Sequence, residues 1–186
     1  MQRDPAATPE DGPAADMPPK AVLITALVLA VAAAATVLAV AVARRPAAGP
    51  VVIATVPAPR ADSAECRALL AALPDRLGDL RRAAAAEPVP AGAAAWGTRE
   101  EPVILRCGLG RPAEFVVGAP LQIVDDVEWF RIDDAGIGRS TWVSVDRPVY
   151  VALTLPSGSG PGPIQDLSGV IARSMPAVPI RPGPPR

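Results

Sequence analysis

Histidine is missing from the chain, and lysine occurs once, at Lys20. Without imidazole there is no Ser-His-Asp or Cys-His catalytic set, no histidine zinc site and no proton shuttle near neutral pH. Aromatic residues make up only 3% of the chain, although half of it is hydrophobic. A formal charge of −1 excludes the strongly basic footprint of a nucleic-acid binder. Arginine takes nearly every basic position beside abundant Ala, Pro and Gly, which reflects a GC-rich genome more than function. The chain also lacks a phosphate-cradling loop, a G-x-S-x-G elbow, an S-x-x-K nucleophile and a calcium-loop pattern. No cofactor or metal is called for. At 186 residues there is room for one ordinary domain.

What is present begins with a long apolar run. Ala21 to Ala43 covers 23 residues without a charge. As a helix rising about 1.5 Å per residue it reaches about 35 Å, enough to cross a hydrocarbon core of about 30 Å. The run is longer than the ~7–15 apolar residues of a signal peptide. An uncleaved anchor is therefore favoured over cleavage after Ala41-Val42-Ala43. Charge leaves the orientation open, because Lys20 precedes the run while Arg44 and Arg45 follow it. The two cysteines, Cys66 and Cys107, decide in favour of an extracytoplasmic C-terminal domain. Exported domains with an even cysteine count pair them, and a loop of this length contributes roughly 4 kcal/mol. The alternative is a cytoplasmic domain with reduced thiols.

Pattern divides the chain into five stretches: a disordered tail at 1–20, the span at 21–43, a Pro-rich linker at 44–61, a domain at 62–174 and a Pro-rich tail at 175–186. Val51–Ile53 is a candidate edge strand. A helix starts after Asp62 or Ser63, and its stripe of Leu69, Leu70 and Leu73 continues through Leu77 and Leu80 across a break at Pro74. Arg81 and Arg82 suit the helix C-terminus. Ala83 to Ala95 reads as a loop, and Arg111 to Val117 holds at most a helical turn. Pro102–Cys107, Val127–Ile132, Thr141–Val145 and Val149–Leu155 read as strands, the last three as a meander. Ile164–Ser174 reads as an amphipathic helix. The expected fold class is α+β: a small, mostly antiparallel sheet with helices packed on one face, preceded by a single transmembrane helix.

The helix with Cys66 and Leu73-Pro74, then Trp96-Gly97, the run Val103 to Gly108, Arg111-Pro112, Val127–Phe130, Arg139 and Val149–Val151 together resemble an actinobacterial family of membrane or secreted proteins, domain-of-unknown-function family 3515. The resemblance spans about residues 60–156. It implies an envelope protein and transfers no catalytic residue. Candidate binding residues are Trp96, Arg106, Arg111, Trp129 and Arg139, against bland alternatives: a tryptophan plugging the core, an arginine paired to a carboxylate. The acidic clusters Asp125, Asp126 and Glu128, and Asp133 with Asp134, suit turns or acid–base work. The expected function is a single-span envelope protein with a disulfide-stapled binding or scaffold domain. The alternative is a cell-wall-associated enzyme using those carboxylates. Expected partners are the membrane and envelope proteins or wall precursors, with no nucleic acid.

Overall fold

The computed structural model describes residues 20–43, 49–134 and 136–185. The chain divides into two units, Met1–Arg45 and Pro46–Arg186. The tail expected at 1–20 lies outside the described residues, apart from Lys20. In the first unit, helix α1 spans Lys20–Ala43 and is apolar on every side, so no one face seeks a core. Its two hydroxyls, on Thr25 and Thr36, donate to the carbonyls of Ala21 and Ala32 at 2.9 and 2.8 Å. Both are thereby satisfied inside the helix, as a lipid surrounding demands. By length and composition α1 is able to cross a membrane.

The second unit is built on one eight-stranded antiparallel sheet, ordered β1-β2-β3-β4-β8-β7-β6-β5. Its strands are β1 (Arg76–Leu77), β2 (Leu80–Ala83), β3 (Ala93–Gly97), β4 (Pro102–Leu109), β5 (Leu121–Val124), β6 (Val127–Asp134), β7 (Arg139–Ser144) and β8 (Tyr150–Pro156). Helices α2 (Ala64–Ala72) and α3 (Gly162–Ser174) pack on one face, so the unit is α+β. Alternation along the strands explains the core. Val103, Leu105 and Cys107 of β4 and Val151, Leu153 and Leu155 of β8 point at the helices and meet Leu69, Leu167 and Ile171. Ser63 caps α2 by accepting from the Cys66 N–H at 3.2 Å. Glu65 in that first turn has its pKa lowered, first by its backbone hydrogen bond and then by the Ser63 hydroxyl. Cys66 and Cys107 are joined in a disulfide that ties α2 to β4.

The region after α2 departs from expectation. No helix follows Pro74: Leu73 is already extended, at φ −65° and ψ 134°, as a residue before proline prefers. Leu77 and Leu80 instead face each other across a hairpin whose turn holds Gly78 at φ 59°. Arg81 and Arg82 therefore lie on or beside the β1–β2 ladder, not at a helix end. The alanine stretch read as a loop ends in β3, and Trp96 sits on that strand. Alanine is a weak strand former. Here its small side chain lets Val51 and Ile53 lie down over Ala95 and Ile104 on the back of the sheet.

That back face also gathers the Pro-rich segments. Val51, in the stretch expected as a linker, is buried and bridges to Ala85. Arg60 donates its N–H to the Gly108 carbonyl at 3.0 Å. The C-terminal stretch expected as a tail is pinned too: Val178 N–H bonds the Asp146 carbonyl at 2.8 Å, and Gly183 bridges to Val116 beside buried Phe115.

Asp125 and Asp126 form the two-residue turn between β5 and β6, at φ 44° and 64°. Both sit in the left-handed region that this hairpin type requires, where glycine is easier than aspartate. Asp126→Gly is expected to add about 0.5–1 kcal/mol, or roughly 2–4 °C in Tm. A thermal melt showing no rise contradicts that account of the turn.

Candidate functional site

One register row on the helix-side face runs Leu105, Leu153, Trp142 and Arg131 across β4, β8, β7 and β6. Along it the environment opens. Leu105 and Leu153 are buried, Trp142 is half-buried and Arg131 is exposed. The result is a groove of about 730 Å³. Its floor carries Trp142, Arg131, Ser140 and Gln122, and its walls are Ile164 and Gln165 of α3 with the Ser-Gly loop 157–160.

Antiparallel pairing sets Arg131 directly opposite Trp142, and the guanidinium lies 5.3 Å from the ring centroid. Asp133, two residues along the same face of β6, accepts from Arg131 Nε at 2.8 Å. Trp142 Nε1 donates to Ser140 Oγ at 3.3 Å. Arg139, at the groove's end, donates to the Pro102 carbonyl at 3.1 Å. Asp134 Oδ1 accepts from Gly136 N–H at 3.1 Å. The groove thus presents a stacked arginine–tryptophan surface whose polar groups hold one another in place. That arrangement is suited to holding a ligand in a fixed pose.

Of the residues singled out from sequence, Arg139 and the pair Asp133 and Asp134 line this groove. The others lie elsewhere. Trp96 is fully buried, its Nε1 donating to the Pro74 carbonyl at 3.1 Å, with Arg82 over its ring at 4.7 Å. Burial lowers the Arg82 pKa, while Asp75 opposes the shift. Trp129 is also fully buried and donates to Ser168 Oγ of α3 at 2.9 Å. Neither ring is open to a ligand. Arg106 lies on the back face, where its guanidinium donates to the Ala54 carbonyl at 3.3 Å. Among the described residues no carboxylate pairs with it, and burial lowers its pKa. Arg111 lies against Gly183, where an added Cβ would meet its guanidinium at 3.1 Å.

The acidic residues do not converge. Asp125 and Asp126 make the β5–β6 turn, Glu128 faces away from Trp129, and Asp133 and Asp134 stand at the groove. Sequence reasoning missed Trp142, Arg131, Ser140, Gln122 and Gln165 as a set. The signal was the paired alternation of Val127–Ile132 and Thr141–Val145, which needs the hairpin register to become a site.

A model of a protein family of unknown function, DUF3515, matches residues 27–180. The chain belongs to the DUF3515 family. The match runs from inside α1 through both helices and all eight strands, so the DUF3515 domain and the folded unit largely coincide. Searches of curated proteins and of solved structures found no match.

Proposed function

We propose that this DUF3515 protein is a single-span envelope protein of actinobacterial type, with a disulfide-stapled domain outside the cytoplasm that binds an envelope protein or wall precursor. The observation that carries this reading is the buried Cys66–Cys107 disulfide in a chain that also has a helix able to cross a membrane. Such bonds persist in oxidising compartments and are rare in the cytosol. The groove over Trp142 supports binding, because its arginines and carboxylate are already committed to neighbours.

The location is tested with Ile123→Cys, a position 74% exposed. A membrane-impermeant maleimide is expected to label it in intact cells as fully as in lysed ones. Labelling confined to lysed cells defeats the proposed orientation. The groove is tested with a photo-crosslinking residue at Gln122, which faces it, against one at Ile123, on the opposite face. An adduct specific to position 122 is expected. Equal adducts, or none at position 122, overturn the groove as the binding surface.

A further inference from the structure

At the other end of β8, where Tyr150 begins the strand, a second pocket of about 540 Å³ lies between the 145–149 loop, the end of β4 and the segment 178–181. Among the described residues three arginines line it, Arg60, Arg147 and Arg181, and no lining residue is acidic. Arg147 is not an ordinary surface arginine, since its side chain is 2% exposed. Its Nη1 donates to Asp146 Oδ2 at 2.6 Å and its Nη2 to the Asp126 carbonyl at 2.7 Å. These contacts fix the guanidinium, while among the described residues its buried Nε, like the neighbouring Asp146 Oδ1, has no partner. A buried N–H without an acceptor is costly, and native structures rarely leave one unexplained.

The other two arginines stand at the mouth. Arg60 is half exposed, donates to the Pro148 carbonyl at 2.5 Å and lies 3.6 Å from the Glu65 carboxylate. Arg181 is exposed. Asp146 and Glu65 offset part of the charge from outside the lining, so the pocket keeps a positive excess. Apolar Val149 and Pro148 share the wall, which limits water and strengthens charge-assisted hydrogen bonds.

We propose that this pocket binds an oxyanion, the carboxylate or phosphate group of a small ligand or lipid headgroup. Arg147, held in place by its neighbours, supplies a fixed positive charge at its base, and Arg60 and Arg181 close on the anion from the mouth. Neither the membrane orientation nor the groove over Trp142 enters this assignment.

The test uses the full chain in neutral detergent at fixed ionic strength, titrated with inorganic phosphate and separately with acetate. A saturable rise in Tm is expected with at least one of them, together with a shift of the Arg147 Nε–H NMR signal, assigned by its loss in Arg147→Lys. Arg181→Ala and Arg60→Gln, the latter retaining a donor for the Pro148 carbonyl, are each expected to weaken binding by about tenfold or more. Phosphatidylglycerol in the micelles that displaces free phosphate from the same signal identifies a headgroup ligand. Saturation by free phosphate without such competition identifies a soluble one. Absence of any saturable response to either anion, or an unchanged response in the Arg60→Gln, Arg181→Ala double variant, overturns the site.

Discussion

Replacing Gly108 by alanine is expected to remove a large share of the stability of the domain. Gly108 sits at a register shift in β4, between Cys107 and Leu109, with φ 86°. A side chain there meets backbone, not a yielding side-chain tip. The added Cβ falls 2.3 Å from both Ala61 N and the Arg60 carbonyl carbon, and 2.6 Å from the Arg60 oxygen. The strap at 60–61 must leave, and with it goes the 3.0 Å hydrogen bond from Arg60 N–H to the Gly108 carbonyl. The left-handed φ alone costs roughly 1–2 kcal/mol, and displacement of a packed segment adds to it. A total of about 3–5 kcal/mol takes a large share of the ~5–15 kcal/mol that holds a domain folded. Gly110 is the internal control, with nothing within 4 Å of an added Cβ. Gly110→Ala should stay within about 0.5 kcal/mol of the parent in urea unfolding. A Gly108→Ala midpoint equal to that of Gly110→Ala rules out the close approach as a constraint.

The second large effect belongs to the disulfide. Cys66 and Cys107 are 41 residues apart and both wholly buried. Closing a loop of that length removes enough unfolded-state freedom for about 4 kcal/mol in the chain-entropy account. Substituting both by alanine is expected to lower stability by about that amount. The native protein treated with a thiol reductant should unfold at a midpoint close to that of the double variant. Alanine is preferred to serine because a hydroxyl placed among Leu69, Leu105 and Val151 adds a desolvation cost of its own. A double variant within about 1 kcal/mol of the parent shows that packing of α2, not the bond, secures this edge.

Strands with strong alternation were legible from the chain alone. Val127–Ile132 and Val149–Leu155 put large apolar side chains on one face and emerge as β6 and β8. The charge-free run emerges as α1, and the amphipathic stripe from Ile164 as α3. β1 to β3 were not legible, for two physical reasons. Leu77 and Leu80 fit a helical spacing as well as a hairpin, and only the extended Leu73 before Pro74 decides between them. The alanines of β3 carry little intrinsic preference and become a strand by pairing with β4. The candidate site was less visible still. Arg131 and Trp142 are eleven positions apart and meet only through the β6–β7 register. The tryptophans named from sequence as binding candidates, Trp96 and Trp129, are those the core absorbs.

Residues 178–183 close over the 115–116 segment on the back of the sheet, against Asp146, Phe115 and Val116. They are also synthesised after every strand they touch. While the nascent polypeptide leaves the ribosome or threads a translocon, the Phe115 carbonyl and the Val117 N–H lack their Gly183 partner until this stretch arrives. Completion of the back face therefore waits on a segment made after every strand, and fusions or truncations made just beyond α3 intrude on assembly itself.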